Sequence, residues 1–370
     1  TLRQRQLREI GEQGQARLNR ASVAVVGAGG LGCPALLGLA GANIGHLGVF
    51  DADVVDSSNL HRQPLYSLSD VGRSKSEVAS ETLQHYNPQV DVEPHTVRLD
   101  ETNAFELLVE YDLIIDGTDD WHTKFLLHEV ARVLDIPFVQ SSVYQWEGEI
   151  QIFLHHQQAP CLSCLWPQEP SADCLGTCQE AGVLGTVPQV MGGLQANEAI
   201  KILSGLEVPL EGKKLLLDFM SLETLKLKLP KNPHCSVCSV SAPELNREKV
   251  IERHRQRQQA AFWEFLAREV SPNDLLDYIW VDIREAHERD IHHPLEHQSE
   301  HLPLSERQRL ESFLQFAERP CLILCEKGSR SRKLVKELRE QQRDDLYSLE
   351  GGISEWKDRY KTHFSKGSGD

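Results

Sequence analysis

Short apolar runs alternate with amphipathic stretches along the chain as far as Val143. A run rich in β-branched residues predicts a buried strand, and apolar positions three or four residues apart predict a helix. The strands predicted in this way are Ser22–Ala28, His46–Asp53, Val90–Leu99, Asp112–Asp119 and Ile136–Val143. Four helices are predicted between them. The first follows the first strand and ends near Ala40, and the others span Gly72–Asn87, Glu101–Tyr111 and Trp121–Asp135. Strands this apolar, alternating with helices, indicate a mostly parallel sheet that helices cover on both faces.

After Trp146 the apolar positions recur with a period of two, which is typical of half-buried strands. The segments EGEIQIFLHH, KLLLDFM and LKLKL show this alternation. They predict an antiparallel extension of the sheet, with a helix over Val190–Gly205 between the first two segments.

A charged, glutamine-rich stretch at Asn246–Gln259 has almost no apolar face and predicts a linker. Beyond it a second alternation of strands and helices begins. Its predicted elements are Ile279–Ile283, Ser305–Glu318, Cys321–Cys325, Ser331–Gln341 and Tyr347–Leu349. We therefore predict an α/β protein with a large domain over residues 1–245, a linker over 246–265, a small α/β domain over 266–363 and a tail over 364–370.

Composition excludes several classes of protein. The 370 residues carry 39 Lys and Arg against 55 Asp and Glu, a net charge of −16 that repels nucleic acid and acidic membrane surfaces. There is no long uncharged apolar run, and the first residues, TLRQRQLREI, do not form a signal peptide, so we expect a cytoplasmic protein. Several of the nine cysteines form Cys-x-x-Cys pairs, which in a reducing compartment indicate metal or sulfur chemistry.

A glycine-rich turn follows the first predicted strand. Gly27, Gly29 and Gly30, in the segment GAGGLG, permit a tight turn and let backbone N–H groups approach a phosphate at the helix N-terminus. Asp51, at the end of the second strand, stands where dinucleotide folds bind a ribose hydroxyl. The pattern predicts a Rossmann-like nucleotide site, and a turn without a ligand is the alternative.

Charged residues near the next strand ends favour a triphosphate. Arg62 follows the second strand, Lys75 begins a helix, and Asp119 and Asp120 close the segment DLIIDGTDD. A triphosphate requires added cations and Mg²⁺, whereas the pyrophosphate of NAD needs little beyond the helix N-terminus. Single charges of this kind are usually solvated, so an NAD-dependent oxidoreductase stays open as the alternative.

Two cysteine pairs, Cys161 with Cys164 and Cys235 with Cys238, have the spacing of metal-binding knuckles. Four thiolates satisfy tetrahedral Zn²⁺ and leave no open position, so the site predicted here is structural. A redox dithiol is the alternative, although such a pair is expected at a helix start rather than in a loop flanked by proline.

A further cysteine, Cys325, ends an apolar predicted strand and begins the loop CEKGSR, which opens a helix. Backbone N–H groups of such a loop curl around the sulfur, and Arg330 and Lys327 favour its anion. The pattern predicts a nucleophilic thiolate or persulfide at Cys325.

The motifs GAGGLG, DAD, SNLHRQ, GRSK and DGTDD, the two knuckles and TCQEAG resemble those of the ThiF/MoeB/HesA adenylyltransferases, prokaryotic relatives of the ubiquitin-activating enzymes. The resemblance covers about residues 1–240. It implies that the residues in contact with ATP are Gly30, Asp51, Asn59, Arg62, Lys75 and Asp119, with Asp119 near Mg²⁺. It also implies that Arg3 reaches the site of a partner subunit in a homodimer, and that the four knuckle cysteines hold zinc.

Cys178 lies in TCQEAG, within a long loop of the kind that often forms a functional lid. A loop cysteine is by itself more often inert, and the resemblance is what implies a covalent role for it. Asp120 departs from the resemblance, since the family often has Asn there.

The second domain resembles a rhodanese domain over about residues 270–360. The segment VDIRE, the loop from Cys325 to Arg330, and LEGGI followed by Trp356 carry this resemblance. It departs from the family pattern after Asp290, and that departure does not touch Cys325.

Together the two resemblances imply one reaction sequence. The first domain adenylates the C-terminal glycine of a small ubiquitin-fold sulfur carrier that ends in Gly-Gly. Cys325, loaded as a persulfide by a cysteine desulfurase or by thiosulfate, attacks the adenylate, and Cys178 then helps to release a thiocarboxylate. Pathways of this kind serve molybdopterin, thiamin or tRNA thiolation. The alternatives are the oxidoreductase and a non-catalytic scaffold that binds the carrier.

Overall fold

In the computed structural model, the described residues are 1–156, 159–167, 182–239, 245–257, 279–285, 299–317, 321–325, 329–339 and 346–348. The chain divides into two compact units, Thr1–His254 and Arg255–Asp370. No helix in the described ranges has both the length and the apolar character needed to span a lipid bilayer.

The first unit contains eight strands that form one sheet. They are β1 Ser22–Val26, β2 His46–Phe50, β3 Asp91–His95, β4 Leu113–Asp116, β5 Phe138–Tyr144, β6 Glu147–Phe153, β7 Lys213–Asp218 and β8 Thr224–Lys228. The strand order is β3-β2-β1-β4-β5-β6-β7-β8. The first five strands in this order, from β3 to β5, pair in parallel with one another, and the pairs β5–β6, β6–β7 and β7–β8 are antiparallel. This arrangement confirms the predicted fold class.

Of the described α-helices, two precede the first strand of this unit, six lie between its strands, and the last follows the eighth strand and continues past His254. They are α1 Leu2–Arg5, α2 Gly11–Leu18, α3 Gly32–Ala42, α4 Lys75–Tyr86, α5 Ala104–Leu108, α6 Trp121–Leu134, α7 Leu162–Leu165 and α8 Thr186–Ser204, followed by α9 at residues 247–257. Helix α8 ends where Gly205 adopts a left-handed conformation, which glycine takes without steric cost.

The sheet separates two hydrophobic clusters because successive strand residues point to opposite faces. In β1, Val23 and Val25 join the cluster that α3, α4 and α8 cover. Ala24 and Val26 join the cluster that α5 and α6 cover on the other face. The carboxyl ends of the parallel strands are left free to form a binding crevice.

Helix α9 packs on the first unit within the stretch whose composition predicts a linker. Its one buried aliphatic side chain, Val250, belongs to the same cluster as α6. Glu129 of α6, which is fully buried, lies 3.3 Å from Arg253 Nε and 3.6 Å from His254 Nε2. These contacts fix the first turns of the stretch against the core.

The second unit contains a four-stranded parallel sheet. Its strands are β9 Ile279–Asp282, β10 Ser299–His301, β11 Cys321–Leu324 and β12 Leu346–Ser348, in the order β10-β9-β11-β12. Helices α10 Arg307–Phe316 and α11 Ser329–Arg339 cover it. All four residues of β11 are buried, so this strand is the centre of the small core.

Candidate functional site

The glycine turn connects β1 to α3. Gly27 has a φ of +88°, and its N–H donates to the carbonyl of Phe50. A Cβ on Gly27 would lie 2.8 Å from the carbonyl oxygen of Gly117, and one on Gly32 would overlap the carbonyl of Gly27. Both positions therefore require glycine, and the turn holds β1 and β4 close together where they end.

Gly29 and Gly30 face the opening of the crevice. A Cβ on Gly29 would meet nothing nearer than Gln63 Nε2, at 3.7 Å. One on Gly30 would lie 3.2 Å from Pro188 of α8 and 3.5 Å from Arg62 Cδ. The backbone here is accessible at the start of α3, where N–H groups without intrahelical acceptors can bind an anion.

Asp51 lies directly beneath this turn. Its Oδ2 accepts a hydrogen bond from Ala28 N at 2.8 Å, and its Oδ1 accepts one from Asp53 N at 2.8 Å. Burial raises the pKa of Asp51, and the charge of Lys75 opposes the rise. The carboxylate therefore fixes the turn at the end of β2.

Lys75 begins α4 and is almost completely buried. Its Nζ lies 3.0 Å from Asp53 Oδ2, and its N–H donates to the carbonyl of Asp53. The side chain of Ser74 caps the helix by accepting from Glu77 N. The structure therefore brings the Lys75 cation to the carboxyl edge of β2, beside Asp51.

Arg62 is half-buried on the segment after β2. One of its guanidinium nitrogens donates to Asn59 Oδ1, so the two predicted residues are in direct contact. Gln63, next along the chain, is 3% exposed, and within the described ranges its Oε1 has no hydrogen-bond partner. A buried carbonyl oxygen of this kind is normally satisfied by a donor.

The end of β4 is held by a buried ion pair. Lys124 Nζ of α6 donates to Asp116 Oδ2 at 2.8 Å, to Thr118 O at 2.7 Å and to Ser141 O at 3.2 Å. Burial raises the pKa of Asp116, and Lys124 opposes the rise. The pair fixes the backbone that leads to Asp119.

Asp119 and Asp120 differ in what they contact. Asp119 is exposed at the carboxyl edge of the sheet, two residues beyond Gly117. Asp120 Oδ1 accepts a hydrogen bond from Thr123 N at 2.8 Å and so caps α6. Asp119 therefore lies at the edge of the crevice, and the capping contact belongs to Asp120 alone of the two.

Arg3 lies elsewhere. It is exposed in α1, and its neighbour Gln4 donates to the carbonyl of Ala42, at the end of α3 opposite to the glycine turn. Arg3 therefore does not join the site that its own chain forms.

The four knuckle cysteines converge. Cys161 Sγ lies 3.5 Å from Cys235 Sγ, and Cys164 Sγ lies 3.3 Å from Cys238 Sγ. All four sulfurs lie within 4.8 Å of one another, and within the described ranges this is the one group of three or more side chains suited to a metal. Four sulfurs about 2.3 Å from one zinc ion would be separated by about 3.8 Å, so the residues fit Zn²⁺.

The mutual contacts of these thiols shift their pKa values in opposite directions: hydrogen bonds with the other three raise the pKa of Cys161, and the pKa of Cys238 is raised to about 11. A hydrogen bond with the Cys161 thiol lowers the pKa of Cys235 to about 6, and a bond with the same thiol lowers the pKa of Cys164. Deprotonated sulfur is the form that binds zinc.

The predicted nucleophile of the second unit follows β11 and is fully buried. Ser331, on α11, contacts Cys325 Sγ with both its N–H and its hydroxyl oxygen, each at 3.3 Å. Arg330, the neighbouring residue, is half-buried. Cys178 and Lys327 lie outside the described residues.

Sequence reasoning missed three contributors to these sites: Gln63, Lys124 and Ser331. Gln63 is the last residue of the motif SNLHRQ, and Ser331 directly follows the loop CEKGSR, so both stand beside residues to which the sequence assigns a role. Lys124 had no such signal, because a lysine within an amphipathic helix is normally solvated.

The fold and these sites define a doubly wound nucleotide-binding α/β protein, with its crevice at the carboxyl ends of β1, β2 and β4 and with a cluster of four cysteines suited to a metal ion. The ThiF family matches residues 1–237, and the rhodanese-like domain matches residues 263–359. The chain belongs to the ThiF family and carries a rhodanese-like domain.

Two relatives extend this result. A "Sulfur carrier protein adenylyltransferase" from Thermus thermophilus is 45% identical over 240 residues, 64% of this chain and 89% of that protein. "Adenylyltransferase and sulfurtransferase MOCS3" from Anopheles gambiae is 37% identical over 374 residues, 95% of this chain and 84% of that protein. The chain is an adenylyltransferase joined to a sulfurtransferase domain.

A solved structure shares the fold alone. The crystal structure of E. coli MccB with ATP matches with a TM-score of 0.55 and 21% identity, covering 61% of this chain and 69% of that chain.

Proposed function

We propose that the first unit binds ATP and Mg²⁺ in the crevice at the glycine turn and adenylates the C-terminal carboxylate of a small ubiquitin-fold sulfur carrier. The observation that carries this proposal is the convergence, at one sheet edge, of the open turn at Gly29 and Gly30, the Arg62–Asn59 pair and the buried Lys75. Backbone N–H groups and two cations are what a triphosphate requires and what a nicotinamide nucleotide does not.

Each residue has a role in this proposal. Arg62 and Lys75 neutralise phosphate charge, Asn59 orients Arg62, and the N–H groups from Gly27 to Gly30 bind phosphate oxygens. Asp119 would hold Mg²⁺, which neutralises charge on the phosphates when it is bound. Asp120 fixes the start of α6 beside it.

The proposed reaction needs no general base. A carrier ending in Gly-Gly presents a carboxylate that is already ionised at neutral pH. Its oxygen attacks the α-phosphorus, the bond from that phosphorus to the β-phosphate oxygen breaks, and pyrophosphate leaves with the electron pair. Catalysis then consists of positioning and of neutralising charge.

The second unit would supply the sulfur. The outer sulfur of a Cys325 persulfide, loaded from thiosulfate or a cysteine desulfurase, attacks the acyl carbon, and AMP leaves. A thiol, which we assign to Cys178, attacks Cys325 Sγ in the resulting acyl disulfide. A disulfide forms between the two cysteines, and the carrier leaves as a thiocarboxylate.

Two further parts of the proposal concern assembly. The four-cysteine centre would hold one structural zinc ion that ties the loop before α7 to the segment before α9. The exposed Arg3, which does not join its own chain's site, would complete the site of a second copy in a homodimer.

The test is ATP–pyrophosphate exchange with a carrier that ends in Gly-Gly. Asp119→Asn is expected to lower exchange by about 100-fold, because removing one group that stabilises transition-state charge typically has that effect. Asp112→Asn is the matched control, since Asp112 is an exposed carboxylate at the opposite end of the β4 segment. Exchange in Asp119→Asn equal to that in the control would refute the assignment.

The sulfur step is read in the same reaction after thiosulfate is added. Mass spectrometry of the carrier should show one oxygen replaced by sulfur, and Cys325→Ser should abolish this product while exchange continues. Loss of exchange in Cys325→Ser would contradict the separation of the two sites.

A further inference from the structure

Polar groups surround the sulfur of Cys325, and the proposed loading reaction assigns no role to them. Cys325 and Ser331 are both fully buried, and Ser348 on the neighbouring strand β12 is 7% exposed. Ser331 N and Ser331 Oγ each lie 3.3 Å from Cys325 Sγ. Ser348 Oγ lies 2.9 Å from Ser331 Oγ and donates to it.

These contacts place the hydroxyl proton of Ser331 within reach of the Cys325 sulfur. Because its oxygen accepts a hydrogen bond from Ser348, its own O–H can donate to another acceptor, and the Cys325 sulfur lies within hydrogen-bond distance. The N–H of Ser331 belongs to the first turn of α11, where backbone donors lack intrahelical acceptors. One residue therefore presents two donors to one sulfur.

A buried anion of sulfur requires such donors. Burial disfavours a charged sulfur, and hydrogen bonds to the charged form compensate for the loss of water. Within a protein interior these bonds are stronger than at the surface, and charge-assisted bonds are the strongest. A neutral, apolar side chain at position 331 would remove the hydroxyl donor and keep the backbone donor of that residue.

We propose that Ser331 is a catalytic residue of the sulfurtransferase unit, which donates its hydroxyl hydrogen bond to the anionic sulfur of Cys325, and that Ser348 is the positioning residue that orients this hydroxyl. The proposal rests on the proposed function of Cys325 as the sulfur acceptor. In the loading step, the Cys325 thiolate attacks the outer sulfur of thiosulfate. The new S–S bond forms, the S–S bond of thiosulfate breaks, and sulfite leaves with the electron pair.

The experiment measures alkylation of Cys325 by iodoacetamide as a function of pH in the full-length chain. Mass spectrometry of the peptide that contains Cys325 separates it from the other cysteines. Ser331→Ala is expected to lower the alkylation rate below neutral pH by about tenfold, the effect of losing one charge-assisted hydrogen bond, while the limiting rate at high pH changes little. The acid limb of the profile should therefore move to higher pH.

Two further variants make the result specific. Ser348→Ala should move the acid limb in the same direction by less, about threefold in rate, because the hydroxyl of Ser331 is retained but less well oriented. Ser312→Ala, in which an exposed hydroxyl on α10 is removed, should leave the profile unchanged. Each variant should keep the limiting alkylation rate of Cys325 at high pH, which shows that the second unit is folded, and should keep ATP–pyrophosphate exchange, which shows that the first unit is intact.

The outcomes separate this proposal from the function on which it rests. A profile in Ser331→Ala that matches the unchanged chain, or a rate lowered equally at every pH, would overturn the role of the hydroxyl. Thiosulfate sulfurtransferase activity that survives Cys325→Ser would instead refute the function of Cys325, and the alkylation profile would still report on Ser331.

Discussion

The buried pair of Lys124 and Asp116 allows a quantitative test of how the nucleotide crevice is built. The two side chains are 3% and 0% exposed, and Lys124 Nζ donates to Asp116 as well as to the carbonyls of Thr118 and Ser141. Lys124→Met keeps most of the side-chain volume and removes the charge and three hydrogen bonds. The carboxylate of Asp116 then stays buried, with the N–H and hydroxyl of Thr118 as its remaining donors among the described residues.

The expected cost is about 3–5 kcal/mol of unfolding free energy, the range measured when one partner of a buried ion pair is removed. For a unit of this size, that loss lowers the melting temperature by roughly 10 °C. Calorimetry resolves the transition of the first unit, and ATP–pyrophosphate exchange should fall because the backbone before Asp119 is no longer fixed.

The control is the double variant Lys124→Met with Asp116→Asn. It removes the unpaired charge, keeps an acceptor for Thr118, and should recover part of the lost stability. The reasoning is wrong if Lys124→Met costs less than about 1 kcal/mol, or if the double variant is no more stable than the single one.

Two other predictions concern the metal centre and acid stability. Cys235→Ser should reduce bound zinc from about one ion per chain to a small fraction, measured by elemental analysis, whereas Cys321→Ala, outside the quartet, should retain it. Burial lowers the pKa of His155 from 6.5 to about 4, so as pH falls through this window the unfolded chain takes up a proton that the folded chain does not, and up to about 3 kcal/mol of stability is lost. His155→Asn, which tolerates the positive φ of this position, should show a smaller loss between neutral and acidic pH in chemical denaturation; an identical loss would contradict the assignment.

The crevice could be predicted from sequence because parallel strands end at one edge of their sheet. Gly27, Asp51 and Lys75 each follow a strand or begin a helix at that edge, so their order along the chain fixes their proximity. The pairing of Lys124 with Asp116 could not be predicted in this way. It depends on which side of α6 faces the sheet, and a single lysine does not alter the hydrophobic pattern.

Two elements of the fold also lay beyond the sequence pattern. Strand β10, Ser299–His301, has no apolar alternation and is a strand because it pairs in parallel with β9 at the sheet edge. The sequence of helix α9 predicts a solvated linker because Val250 is its one buried aliphatic residue. Its other buried contact joins charged or polar groups, Glu129 with Arg253 and His254. Tertiary partners determine both elements.

Because the chain has a net charge of −16, any anion that binds to it must be held by nearby groups and not by the overall electrostatic field. The long-range field of the chain repels a triphosphate, a carrier carboxylate and thiosulfate alike, so their binding must come from donors within contact distance. In the site proposed for ATP these donors would be the cations Arg62 and Lys75 with the N-terminus of α3. In the site proposed at Cys325 they would include the N–H and hydroxyl of Ser331, which carry no charge. The acidic net charge is therefore compatible with both proposed reactions, because fixed donors close to the reacting atom are screened little by salt.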